Sequence, residues 1–158
     1  MKNKIQFLIM DVDGTLTDGK INIGDEGEVY KSFSVKDGYA INQLLPRYGI
    51  EPVIITGRNS KIVQYRANEL SIKYLFQGCD NKISTLENLL REKEASFENC
   101  AYIGDDMNDY DCMLVCKERG CPMDAVDEIK SIATYVCKNK GGEGAVREFV
   151  EYLIGSRK

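Results

Sequence analysis

The feature that most constrains this chain is the place where its apolar runs stop. Ile5-Gln6-Phe7-Leu8-Ile9-Met10 is nearly continuous in apolar character, which suits a strand covered on both faces in a parallel sheet. It ends abruptly in Asp11-Val12-Asp13-Gly14-Thr15. Pro52-Val53-Ile54-Ile55 runs straight into Thr56-Gly57-Arg58, and Cys100-Ala101-Tyr102-Ile103 delivers Gly104-Asp105-Asp106-Met107-Asn108-Asp109. In open parallel sheets the loops beyond the carboxyl ends of the strands converge on one crevice. Three polar clusters therefore point to one site.

Between these strands the spacing predicts helices. Asp37 to Tyr48 carries Ala40, Ile41, Leu44 and Leu45 on one face and stops at Gly49, and Lys82 opens a helix to about Lys93 through Leu86, Leu89 and Leu90. Further helices are expected over about 61–70, from Asp109 to about Cys116, near 127–132 and up to Ile154. Short strands are expected at Tyr74 to Phe76, near Cys121 and at Thr134 to Cys137. Ile21 to Ile23 and Val29 to Phe33 flank Gly24-Asp25-Glu26-Gly27 and read as a β-hairpin inserted at about 18–34. The expected fold is α/β: a single doubly wound, Rossmann-like parallel sheet with helices on both faces, and the hairpin after the first strand. With 158 residues, one domain over 1–158 is expected, leaving little room for a separate cap domain.

Composition narrows the function. The net charge is -4 with lysines scattered rather than striped, which argues against a nucleic-acid partner, because that affinity depends on clustered basic side chains. No apolar run approaches the ~20 residues needed to span a bilayer, so no membrane partner is expected and a cytoplasmic location is inferred. Six cysteines invite a zinc or disulfide reading. No Cys-x-x-Cys pair exists, however, and the spacing of Cys112 and Cys116 has no matching second pair, so they read as small buried hydrophobes. Histidine is absent, which excludes histidine triads, histidine phosphatases and the common zinc hydrolase sites. Acid or base work falls to carboxylates, lysine, tyrosine or a metal-bound water.

Packing Asp11, Asp13, Asp105, Asp106 and Asp109 into one crevice creates a repulsion that only a cation offsets, and oxygen-only ligands select a hard ion such as Mg2+. In Asp11-x-Asp13 the first carboxylate can attack phosphorus in line while the second protonates the leaving oxygen. Gly14 lets backbone approach closely, so that N–H groups around Val12 to Gly14 cradle phosphate oxygens. Thr56 can donate a hydroxyl hydrogen bond and Lys82 can place an ammonium against the same anion. Each cluster alone has a structural explanation as a turn, a helix cap or a solvated side chain. Their order, each directly after an apolar strand or opening a helix, is what points to chemistry.

The set Asp11-x-Asp13-Gly14-Thr15, Thr56-Gly57-Arg58, Lys82 and Gly104-Asp105-Asp106-x-Asn108-Asp109 resembles the four motifs of the haloacid dehalogenase superfamily. The resemblance implies Asp11 as nucleophile and Asp13 as general acid/base. It implies Thr56, Gly57, Gly14 and Lys82 around the phosphate, and Asp11, Asp105 and the backbone carbonyl of Asp13 around Mg2+, with Asp106, Asn108 and Asp109 behind them. Over nearly the whole chain the sequence is similar to one capless branch, the 3-deoxy-D-manno-octulosonate 8-phosphate (KDO 8-phosphate) phosphatases of lipopolysaccharide synthesis and their nine-carbon, sialic-type relatives. Asp18-Gly19, Phe33-x-Val35-x-Asp37-Gly38, Gln77-Gly78 and Gly141-Gly142-x-Gly144-Ala145-Val146-Arg147-Glu148 carry that likeness. It implies a sugar acid phosphate as substrate and a homotetramer in which a neighbour covers the site. Arg58 resembles the octulosonate enzymes, where a guanidinium suits the sugar carboxylate. Glu143 departs from the arginine usual there, and Asn108-Asp109 is closer to the nine-carbon enzymes.

Two other classes compete: a silent assembly domain like those fused to sialic acid cytidylyltransferases, and a phosphoregulated receiver domain. Intact Asp11 and Asp13 argue against the first, and Asp13 next to Gly14-Thr15 argues against the second, since a receiver needs a long-lived aspartyl phosphate.

Overall fold

The computed structural model describes residues 4–155. Its centre is β1 (Phe7–Met10), in which Leu8, Ile9 and Met10 have no exposed surface. Side chains of a strand alternate between faces, and the two faces of β1 enter separate cores. Leu8 and Met10 join Ile41, Leu45, Val63, Val146, Phe149 and Val150 on one side, while Phe7 and Ile9 join Leu86, Leu89, Leu90, Cys112 and Met113 on the other. A strand buried on both faces must be apolar throughout, which is why the run Ile5–Met10 is legible without alternation.

The hairpin follows as β2 (Asn22–Gly24) and β3 (Gly27–Tyr30), which pair antiparallel. β3 ends at Tyr30, short of Phe33, because the chain there turns into the next helix. That helix begins as α1 (Val35–Tyr39), passes through a π-helical stretch (Ala40–Leu44) and finishes as α2 (Leu45–Arg47). The single helix expected over Asp37 to Tyr48 is thus broken in register. Pro46 has no N–H and its ring crowds the carbonyl four residues back, and the Leu45 N–H donates to Ala40 O, five residues back.

The rest alternates as expected: β4 (Glu51–Ile55), α3 (Lys61–Glu69), β5 (Tyr74–Phe76), α4 (Lys82–Glu92), β6 (Cys100–Ile103), α5 (Tyr110–Val115), β7 (Glu118–Cys121), α6 (Asp127–Ile132), β8 (Tyr135–Val136) and α7 (Ala145–Gly155). The six-stranded sheet has the order β5-β4-β1-β6-β7-β8, and every adjacent pair is parallel. The strand order reverses at β1, which has β4 on one side and β6 on the other. This is the switch point where a crevice must open. Ser34, Ser60 and Asn81 cap α1, α3 and α4 through side-chain oxygens, each cap being worth about 1 kcal/mol.

α7 seals one core with Val146, Phe149, Val150 and Leu153, and its seat depends on Gly120 of β7. A Cβ there would lie 2.7 Å from the Phe149 ring. Among the described residues no second layer of structure covers the crevice as a cap, and no helix is long and apolar enough to cross a membrane.

Candidate active site

Asp11, Asp13, Gly19, Thr56, Gly57, Arg58, Asp105, Asp106 and Asn108 line one open cleft of about 440 Å3 at the carboxyl ends of β1, β4 and β6. Residues 94 positions apart in sequence therefore share a wall, since β1 is hydrogen-bonded to both neighbouring strands. Asp11 is almost fully buried and follows β1 directly, its N–H donating to Ile103 O of β6. Thr56 is 2% exposed and follows β4, while Gly57 and Arg58 are exposed on the opposite lip.

One oxygen each from Asp11, Asp105 and Asp109 lies within 4.8 Å of the others. Burial, then repulsion from Asp109, raises the Asp11 carboxyl well above its usual range, although Lys82 pulls the other way. Asp105 is pushed up to about 6, first by burial and then by Asp109. Both shifts express the same strain: anions gathered out of water without enough positive charge. An all-oxygen donor set that resists ionising together is what a hard divalent cation relieves, so the residues present fit such an ion.

Lys82, the first residue of α4, is the cation already there. It is 5% exposed, and its Nζ lies 2.9 Å from Asp11 Oδ1 and 2.9 Å from Asp109 Oδ1. Burial pulls its ammonium down, but the Asp11 and Asp109 charges outweigh it and hold the group above its usual range.

Asp109 differs from the other two carboxylates, because its oxygens are occupied. Oδ1 accepts from Lys82 and from the Tyr102 hydroxyl at 2.7 Å, and Oδ2 accepts from the N–H groups of Asp105 (3.1 Å) and Asp106 (3.4 Å). It anchors Lys82 and pins the loop that carries Asp105. Nothing in an apolar strand such as Cys100–Ile103 distinguishes Tyr102 as a partner of this group; only the return of the chain at Asp109 brings them together.

The glycines around Asp11 explain themselves by contact. Gly14 has φ +89°, and a Cβ on it would fall 1.9 Å from Asp105 Oδ2. Its N–H, expected to face the phosphate, donates to Thr17 Oγ1 at 3.2 Å, and its missing Cβ leaves space for Asp105. Thr15 Oγ1 also donates to Asp105 Oδ1 at 3.2 Å. Gly141 and Gly142 press against the same loop: a Cβ on Gly141 would lie 1.9 Å from Gly14 O, and Gly142 N donates to Thr15 O at 3.1 Å. Glu148 holds that turn by accepting from Lys138 N and Asn139 N. The glycine-rich C-terminal motif is thus a buttress for the Asp11 loop.

Asp13 sits apart from the three-carboxylate group, and its Oδ1 accepts from Lys31 Nζ at 2.6 Å. Lys31, just past β3, carries no sequence signal of its own, because a lysine in a hairpin is usually solvated. All six cysteines are free thiols and none belongs to the carboxylate group. Burial pushes the Cys112 thiol up to about 12 and Cys121 up to about 11, as expected of inert core residues.

Residues 77–149 match the family model of haloacid dehalogenase-like hydrolases. A relative from Yersinia pestis, a 3-deoxy-D-manno-octulosonate 8-phosphate phosphatase, is 41% identical over 150 residues, covering 95% of this chain and 80% of the relative. The chain belongs to this phosphatase family. It is a phosphatase with the α/β fold of haloacid dehalogenase-like hydrolases. The crystal structure of the Yersinia pestis phosphatase superposes with a TM-score of 0.93 at 39% identity, covering 99% of this chain and 84% of that one. The phosphatase from Moraxella catarrhalis, in complex with a magnesium ion, a phosphate ion and a KDO molecule, superposes with a TM-score of 0.92 at 36% identity, covering 98% of this chain and 88% of that one.

Proposed function

We propose that this phosphatase hydrolyses the phosphomonoester of 3-deoxy-D-manno-octulosonate 8-phosphate through an aspartyl-phosphate on Asp11. The observation that carries the mechanism is the buried Asp11 carboxylate held by Lys82 at the floor of an open cleft, with Asp13, Thr56 and Asp105 on its walls. Lys82 lies close enough to Asp11 to bind the phosphate that Asp11 attacks. Thr56 contributes its hydroxyl to the same anion. Mg2+, held by Asp11, Asp105 and the Asp13 carbonyl, would neutralise the repulsion between an anionic nucleophile and a phosphate dianion. Asp109, beneath the loop, accepts from the Asp105 N–H and keeps Asp105 in place, while Asp106 and Asn108 are exposed on the loop.

In the first half-reaction an Asp11 oxygen forms a bond to phosphorus as the bond to the sugar oxygen breaks, and the Asp13 carboxyl gives that oxygen its proton. In the second, water attacks phosphorus, Asp13 takes the water proton, and the Asp11–phosphorus bond breaks. Arg58, exposed on the cleft lip, would pair with the carboxylate of the sugar acid.

The relatives' substrate supports the octulosonate reading, and the identity of more than two-fifths over nearly the whole chain makes it the first choice. Homotetramer formation belongs to the same proposal: Ile23 (70% exposed), Val29, Tyr30 and Val35 (82%) leave the hairpin region apolar and uncovered, which a neighbouring copy would bury. So does a cytoplasmic location, which suits six free thiols.

The test is a panel of eight- and nine-carbon 2-keto-3-deoxy sugar acid phosphates and unrelated hexose phosphates, with and without EDTA. We expect the eight-carbon substrate to lead, EDTA to inactivate and Mg2+ to restore, and Asp11→Asn to abolish turnover while the circular dichroism spectrum is kept. Equal rates on hexose phosphates would overturn the substrate, and an active Asp11→Asn variant would overturn the nucleophile. A wild-type protein inert on every phosphate would leave an assembly role.

A further inference from the structure

Asp13 has to present a carboxyl oxygen to the leaving group, yet a short aspartate at a cleft edge is free to turn about two bonds. Its side chain is 21% exposed, so packing alone does not hold it. What holds it is Lys31. The lysine side chain is 2% exposed, and its Nζ is 2.6 Å from Asp13 Oδ1 and 2.8 Å from Glu28 Oε1. An ammonium between two carboxylates, withdrawn from water, is an ion pair with little freedom to swing. The clamp is tied further: Glu28 Oε2 accepts from Ser60 Oγ, the same oxygen that caps α3 by accepting from Val63 N at 3.3 Å. Ser60 is in turn fixed to Gln77, its N–H donating to Oε1 at 2.9 Å and its carbonyl accepting from Nε2 at 3.2 Å. A strap therefore runs from the loop after β5, through the start of α3 and the hairpin, onto one oxygen of Asp13.

We propose that Lys31, clamped by Glu28, is the positioning residue for Asp13, fixing Oδ1 so that Oδ2 is the oxygen presented to the leaving group and later to water. The hairpin is then part of the machinery of the cleft as well as a surface. Lys31 is not among the residues that line the cleft, and in this role it transfers no proton; it acts through Asp13. The inference rests on Asp13 as the acid and base of the proposed mechanism.

That dependence makes a sharp test, because the two half-reactions need Asp13 differently. With p-nitrophenyl phosphate the leaving phenolate needs no proton, so phosphorylation of Asp11 proceeds without a well-placed Asp13, whereas hydrolysis of the aspartyl phosphate does not. In Lys31→Met we expect about one equivalent of nitrophenolate per active site in a burst, then kcat lower by about 100-fold, the scale of an ångström of misplacement, with kcat/KM within a few fold of wild type. With the sugar acid phosphate, whose alkoxide needs the proton, kcat/KM itself falls by about 100-fold. Lys31→Arg recovers most of the lost turnover, and Glu28→Gln shifts the same parameters in the same direction by a smaller factor.

A merely structural lysine would lower kcat/KM on both substrates together without a burst, and that result overturns the proposal. Should Lys31→Met fail to fold by circular dichroism, Glu28→Gln decides, and wild-type kinetics there overturns it as well. Asp13→Asn separates the two levels. If it bursts while Lys31→Met and Glu28→Gln do not, Lys31 is removed and the mechanism stands. If Asp13→Asn turns over normally, the acid–base assignment falls and this inference with it.

Discussion

Replacing Asp109 by Asn isolates what its carboxylate does. Every partner of Asp109 is a donor: Lys82 Nζ (2.9 Å) and Tyr102 OH (2.7 Å) on Oδ1, Asp105 N and Asp106 N on Oδ2. An amide has only one acceptor oxygen, so its NH2 must face donors whichever way it is turned. Turned toward the two backbone N–H groups it finds no acceptor at all. Turned toward Lys82 and Tyr102, it finds a hydroxyl that can rotate to accept and an ammonium that cannot. The second arrangement is the better one, and it breaks the ion pair to Lys82 inside a site where Asp109 is fully buried and Lys82 is 5% exposed. Breaking a buried pair in this way costs about 3 to 5 kcal/mol. For a domain of this size that corresponds to a fall in melting temperature on the order of 10 °C. Lys82 keeps Asp11 but loses its second anchor, so phosphate binding should weaken as well. Urea unfolding of the metal-free protein at pH 7 measures the first effect, and inorganic phosphate as a competitive inhibitor measures the second. A stability loss under about 1 kcal/mol, the scale of an exposed pair, together with a large loss of Mg2+ affinity, would refute the reasoning. Asp109 would then be a metal ligand and not the anchor of Lys82.

Gly14→Ala should cost about 1 to 2 kcal/mol for its left-handed backbone. It should also cut kcat by about 100-fold, because a Cβ 1.9 Å from Asp105 Oδ2 forces that carboxylate to move by about an ångström. A Mg2+ titration of activity and a thermal melt check this, and an unchanged half-saturation would count against Asp105 as a ligand. Asp37 offers a pH test remote from the cleft. It is 2% exposed, its Oδ1 accepts from Arg147 N at 2.9 Å, and burial pushes its carboxyl from an ordinary 3.8 up to about 6 against the pull of Arg147 and Arg66. A raised folded-state value means the unfolded chain releases this proton first, so stability falls as pH climbs from about 4 to about 6, by at most about 3 kcal/mol. Asp37→Asn should remove that slope, gaining on wild type over the same window in urea unfolding. Parallel stability curves for the two proteins would contradict it.

Legibility followed how local the determining physics was. The strand Phe7–Met10 is readable from the run Ile5–Met10 because burial on both faces requires unbroken apolar character, and the positions of Asp11, Thr56 and Asp105 follow because the end of such a run is also the end of its strand. The helix through Asp37 is legible in the sequence, but its π-helical stretch is not, since Pro46 removes one regular bond without saying how the register is made up. Five of the six cysteines are buried, as their reading as small core hydrophobes expects, while Cys79 is half-buried. Lys31 could not be singled out, because nothing near it in sequence tells a solvated hairpin lysine from one folded back onto Asp13.

By itself the sequence determined the α/β alternation, the crevice and the candidate carboxylates, all of which come from patterns a few residues long. Only tertiary structure decided which carboxylate is which. Asp11 and Asp105 meet at the cleft with Lys82 and Thr15 as partners, Asp109 gives both of its oxygens to four donors, and Asp13 is held by a lysine from the hairpin. The physical reason is that a carboxylate's role depends on its partners, and those partners sit 3 to 90 residues away along the chain.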